Sequence, residues 1–129
     1  NVDINEIQLL CSKTGLTEYI TTLKHGFDTQ LSSTGKKLPA HAIKKILLVR
    51  AFINKPKLLL LEEPWIGLEE RYQQQIKNYL LTEMNNTTVF VITGDKDFAS
   101  SCDKIIELKK EGCTVTLGNP QTPAGGEEV

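Results

Sequence analysis

The chain has 129 residues, the size of one domain or a piece of one, with 40% hydrophobic and 24% charged residues, fractions ordinary for a globular protein. A formal net charge of −1 gives no basic surface for a general electrostatic grip on nucleic acid, so no nucleic-acid partner is expected. The longest apolar runs have four residues, such as Leu58 to Leu61, against roughly 20 for a membrane-spanning helix.

The N-terminus, NVDINEIQLL, has acidic residues and no basic cluster, so it does not read as a signal peptide. It opens on Asn rather than Met, and the chain is expected to be cut from a longer one. Asp3 is a candidate N-cap with Glu6 three residues on, and Ile4, Ile7, Leu10 and Cys11 recur at helical spacing until Gly15. A short second helix is expected from Thr17 to Leu23, ending at Gly26. Leu31 to Lys37 reads as a polar loop. Pro39 fits the first turn of a helix from Ala40 to Asn54, whose many apolar residues imply that it is mostly buried. Lys55-Pro56 stops it.

Leu58 to Leu61 reads as a strand buried on both faces, as in a parallel sheet. Leu68, Tyr72, Ile76, Tyr79, Leu80 and Met84 mark one face of a long helix that Asn85-Asn86 closes. Thr88 to Thr93 is β-branched and reads as a second buried strand, completing a right-handed βαβ unit with parallel strands. Asp95 or Asp97 caps a short helix containing Phe98. Lys104–Leu108 and Cys113–Leu117 flank Lys110-Glu111-Gly112 as a hairpin. Residues 119–129, rich in Pro and Gly, are expected to be disordered.

The three cysteines, Cys11, Cys102 and Cys113, are odd in number and lack metal-site spacing, and neither His25 nor His41 has a cysteine beside it, so no zinc site is expected. The sharpest chemical feature is LLLLEEP, Leu58 to Pro64. In a parallel sheet, ligands meet the C-terminal ends of the strands. A buried strand ending in two acids is the Walker B arrangement, in which the first acid helps to hold Mg²⁺ and the second polarises the attacking water. A strand that runs into a charged loop is also common in proteins with no such chemistry.

The surroundings carry more. LPAHAIKKILLVRAFINKPKLLLLEEP has the order and length of the segment in ABC ATPases that runs from the LSGGQ signature to Walker B. The chain resembles that family, of exporter type, from end to end apart from the tail. Leu38, Pro39, Ala40, His41 and Ala42 occupy the signature. Glu62 stands at the metal-binding acid and Glu63 at the catalytic one. Ile66, Gly67, Leu68 and Glu69 match the D-loop, and TVFVITGD matches the strand whose end bears the switch histidine, here Gly94. CDKIIELKKEGCTVTLGNP is similar to the closing hairpin. Upstream, Gly15-Leu16-Thr17-Glu18-Tyr19-Ile20 and Gly26-Phe27-Asp28-Thr29 are similar to two elements of the helical subdomain.

The resemblance implies an α/β fold, a partial P-loop NTPase fold of the ABC ATPase type. Residues 1–37 would be the remainder of the helical subdomain, 38–118 the C-terminal half of the ATPase core, and 119–129 the tail. The parent protein would couple ATP binding and hydrolysis to transmembrane export from the cytoplasmic face of the membrane. Its partners would be a second ATPase domain and a transmembrane subunit or domain, and its cofactors ATP and Mg²⁺. No G-x-x-x-x-G-K-[ST] loop occurs in the sequence, so the chain alone is expected to bind and hydrolyse no ATP and to need no cofactor. The alternative is a non-catalytic module kept for dimerisation or protein interaction.

Several positions depart from the family pattern. Pro39 offers neither a hydroxyl nor an N–H, His41 adds a ring where bare backbone approaches phosphate, Gly94 has no side chain, and Glu62 is one methylene longer than Asp. His41 reads more simply as an exposed helix-end residue, and Lys44 and Lys45 as a solvated face. Trp65 reads as a partner contact or packed rim rather than a base-stacking residue.

Overall fold

The computed structural model describes residues 2–32 and 38–120. Helix α1 spans Ile4–Thr14, where the Asp3 carboxylate accepts from the Asn5 N–H at 2.9 Å and Gly15, at φ 78°, ends it. Among the described residues Glu6 does not close the reciprocal cap bond, and its Oε1 is buried without a hydrogen-bond partner. Helix α2 is Leu16–Thr21, shorter than expected, followed by a 3-10 turn at Gly26–Asp28.

Helix α3 is Ala40–Phe52. Pro39 sits one residue before it as the N-cap, not inside the first turn, and its carbonyl accepts from Ala42 at 2.9 Å and Ile43 at 3.2 Å. The missing N–H costs nothing in either place. The expectation of a mostly buried helix needs correction. Ala42, Lys45, Leu48, Val49 and Phe52 form the buried stripe, while Ile43 and Leu47 are exposed.

Strand β1 (Leu58–Glu62), helix α4 (Glu70–Thr82) and strand β2 (Thr88–Ile92) follow, and the strands pair in parallel with Leu58 opposite Thr88 and Glu62 opposite Ile92. All six residues of the expected α4 stripe are buried, from Leu68 to Met84. The strands, however, are covered on one face only. Leu59, Leu61, Val89 and Val91 face the core, whereas Leu58, Leu60, Phe90 and Ile92 are half or more exposed. Successive strand residues point to opposite faces, and among the described residues only one face has helices packed on it.

Asp95 caps the short helix α5, Lys96–Ser100, by accepting from the Phe98 N–H at 2.9 Å. Strands β3 (Lys104–Lys109) and β4 (Gly112–Leu117) form an antiparallel hairpin around Lys110-Glu111, in a sheet separate from β1 and β2. One core cluster joins Leu10 and Leu16 to Phe52, Leu59, Ile76, Tyr79 and Phe98, so the helical N-terminal part and the β1-α4-β2 unit share a single interior. The loop expected at Leu31–Lys37 lies partly, and the tail at 119–129 mostly, outside the described residues.

Candidate functional site

The two acids of LLLLEEP sit at the C-terminal end of β1 and diverge. Glu62 is the last strand residue and belongs to the bare face, with its side chain exposed. Glu63 leaves the strand with φ 40°, a backbone conformation that is uncommon outside glycine. Its N–H still bonds to the Ile92 carbonyl at 2.8 Å, so the turn begins while the chain is anchored to β2. Its carboxylate reaches across to the loop after β2. Oε1 accepts from the Gly94 N–H at 2.8 Å and Oε2 from the Thr93 hydroxyl at 3.2 Å. Glu62, Glu63 and Gly94, singled out from sequence, therefore gather at one end of the parallel pair.

The loop after Glu63 is held from α3. The Lys44 ammonium donates to the Glu63 carbonyl at 2.9 Å and to the Ile66 carbonyl at 2.6 Å. Gly67 has φ 84°, Leu68 is buried, and Glu69 is the N-cap residue of α4 and pairs with Arg71 at 3.1 Å. Arg71 also reaches Glu18 on α2 at 2.7 Å.

At the start of α3, Ala40 and His41 are exposed, whereas Ala42 is fully buried. Ala42 and Ile43 donate their N–H groups to Pro39, which among the described residues leaves the Ala40 and His41 amides as the unspent donors of this end. His41 lies edge-on to Tyr19 with ring centroids 5.8 Å apart.

Three features escaped the sequence reading. Lys44 and Lys45 are not a solvated face. Lys45 is 4% exposed, its ammonium 3.4 Å from the Gly15 carbonyl and 5.0 Å from the Tyr72 ring centre. Its place in the 42-45-48-49-52 stripe was the available signal. Trp65 is neither rim nor stacking platform. It is 2% exposed and packs on Phe98 with centroids 4.6 Å apart. Lys77 of α4 lies over the Trp65 ring and pairs with Asp95 at 2.6 Å. That bond, with the Phe98 N–H, holds the Asp95 carboxyl below its ordinary range. The loops after β1 and β2 are thus fastened to each other twice, by Glu63 and by the Trp65–Lys77–Asp95 line.

Among the described residues no group of three or more His, Cys, Asp or Glu could hold a metal. Glu62 is a single exposed carboxylate, which fits Mg²⁺ only in the way that ion usually binds, through one or two carboxylates with phosphate and water supplying the rest. No described helix is long and apolar enough to cross a membrane.

No protein-family model matches the chain. Curated proteins do. It is 31% identical over 127 residues to a protein of Rickettsia prowazekii named as an export ATP-binding/permease protein, covering 98% of this chain and 21% of that one. It is 29% identical over 108 residues to the ABC multidrug transporter mdr4 of Aspergillus fumigatus, covering 84% and 8%. To antigen peptide transporter 1 of Rattus norvegicus it is 28% identical over 109 residues, covering 83% and 15%. The chain spans about a fifth or less of the length of these relatives. The fold matches the structure of a bacterial Atm1-family ABC exporter with ATP bound at a TM-score of 0.69 and 21% identity, covering 84% of this chain and 19% of that one. By sequence and by its partial α/β fold, the chain belongs with the ABC transporter ATPase domains of the exporter type.

Proposed function

We propose that the chain is part of an ATPase domain whose parent protein couples ATP binding and hydrolysis to export across a membrane, working at the cytoplasmic face against a transmembrane domain and a second ATPase domain. In this reading Glu63 polarises the attacking water and Glu62 holds Mg²⁺, which would neutralise charge on the phosphates. Leu38 to Ala42 and Ile66 to Glu69 face a nucleotide shared with the second domain. The observation that carries the reading is the meeting of Glu63 with Gly94 at 2.8 Å, an acid at one strand end beside the switch position at the next.

The site is degenerate. Gly94 has no side chain to touch a γ-phosphate, Pro39 removes a hydroxyl and an N–H, and the sequence has no phosphate-binding G-x-x-x-x-G-K-[ST] loop. The chain alone should therefore bind no Mg²⁺-ATP. Isothermal calorimetry tests this directly: heats of dilution are expected, and saturable binding in the micromolar range would overturn the assignment of a degenerate site.

One observation favours a second reading, a non-catalytic module kept for protein interaction. Both oxygens of Glu63 are already engaged by the 93–94 loop, so the carboxylate serves the fold as it stands. The two readings part on the natural gene. A phosphate-binding loop encoded upstream favours the first, and a gene that starts near Asn1 favours the second.

A further inference from the structure

We infer that Lys44 is the positioning residue for Glu63, setting the direction of its carboxylate from the first turns of α3; this rests on the role proposed for Glu63. The carboxylate's direction follows from three fixed points on one residue. The Glu63 N–H is held by Ile92 at 2.8 Å, its carbonyl by Lys44 at 2.9 Å, and its side chain by Gly94 and Thr93. With the N–H anchored to β2, the rotation φ about the N–Cα bond of Glu63 carries its side chain and its carbonyl carbon together. At φ 40° the carboxylate meets Thr93 and Gly94 while the carbonyl oxygen faces the Lys44 ammonium, so the bond to that oxygen favours the same rotation.

Lys44 is suited to this task. Its ammonium spans two carbonyls, those of Glu63 and Ile66, so it fixes both ends of the turn that separates β1 from the 66–69 loop. The turn's own closing bond, Ile66 N–H to the Glu63 carbonyl, is 3.3 Å and is the weaker fastening. Among the described residues no carboxylate forms an ion pair with Lys44. Next to it, the Lys45 ammonium lies 3.4 Å from the Gly15 carbonyl, a second contact from the same helix turn to a backbone oxygen. A shift of the start of α3 thus reaches the Glu63 carbonyl through Lys44.

The test uses the ¹⁵N-labelled 129-residue chain and the exchange rate of the Gly94 amide, which reports whether the Glu63 carboxylate is in place. Glu63→Ala sets the reference: loss of this charge-assisted bond should speed Gly94 exchange about tenfold. Lys44→Met, which keeps the aliphatic stem, should reproduce most of that change while the Ile76 amide in α4 stays protected. Lys44→Arg should restore the slow rate. A folded Lys44→Met chain with wild-type Gly94 exchange overturns the inference, because a merely structural lysine would lower stability without releasing that amide. Should Lys44→Met fail to fold, the wild-type chain decides. The Lys44 ammonium protons should exchange measurably more slowly than those of exposed Lys24, and equal rates overturn the inference. None of these readouts involves nucleotide, so they succeed or fail independently of the calorimetric test.

Discussion

Replacing Gly15 by Ala would drive a methyl group into Tyr72. A Cβ built on Gly15 lies 2.4 Å from Tyr72 Cε2 and 2.6 Å from Cδ2 and Cζ, well inside van der Waals contact. The ring has little room to retreat. Tyr72 is 4% exposed, with the Lys45 ammonium 5.0 Å and the Arg71 guanidinium 4.6 Å from its ring centre. Two costs add. The left-handed backbone at φ 78° costs an L residue about 1–2 kcal/mol, and overpacking a filled site costs about 1–3 kcal/mol. The sum, about 2–5 kcal/mol, is a large share of the roughly 5–15 kcal/mol that holds an ordinary domain folded. Gly67 separates the two effects. It has φ 84° but nothing within 4 Å of a built Cβ, so Gly67→Ala should cost the backbone part alone, about 1–2 kcal/mol. Urea titrations of both variants at neutral pH, followed by far-ultraviolet circular dichroism, give the comparison. If Gly15→Ala costs no more than Gly67→Ala, the close packing of the α1–α2 junction against α4 is wrong.

Asp95 should make stability sensitive to acid. The Lys77 ammonium and the Phe98 N–H lower its pKa from an ordinary 3.8, so its contribution is present above that value and fades as pH falls through the folded pKa. Asp95→Asn, which can still cap α5, should flatten the acid limb of stability against pH, and an unchanged limb would exclude this pair as its source. Tyr72 should act at the other extreme. Burial first, and the nearby Glu18 carboxylate second, raise its pKa from 10.0 to about 12, so its contribution is complete below the unfolded value and is lost as pH rises through the folded one. Burial raises the Tyr79 hydroxyl as well, so Tyr72→Phe should diminish rather than abolish the tyrosinate absorbance that rises late with pH. A late component of undiminished amplitude refutes the assignment. The bare face of the β1–β2 pair should draw copies together, since exposed apolar patches and unpaired strand edges recruit partners. Light scattering should show association that Leu60→Lys with Ile92→Lys suppresses, both positions being 68% exposed. A monomeric wild-type chain at the same concentrations would refute this.

Much of the local structure follows from residue order. The Asp3 cap, the Gly15 stop and the α4 stripe are properties of short segments. A cap needs a carboxylate next to free amides, and a stripe needs only apolar residues at the helical period. The gathering of Glu62, Glu63 and Gly94 was legible too, because parallel strands place the loops after them at the same end of the sheet.

The partners of the charged residues were not legible. Lys44 and Lys45 look like any solvated pair until the carbonyls 19, 22 and 30 residues away along the chain are brought to them. Trp65 could be a platform or a rim until Phe98 and Lys77 enclose it.

The sequence by itself determined which elements form and which family order they follow, because periodicity, caps and motif spacing act over a few residues at a time. Only the tertiary structure decided that Leu58, Leu60, Phe90 and Ile92 stand uncovered, and that the Glu63 carboxylate is turned onto Gly94 while Lys44 holds its carbonyl. Burial and hydrogen bonding of this kind depend on what packs from distant parts of the chain, and a local pattern carries no record of that.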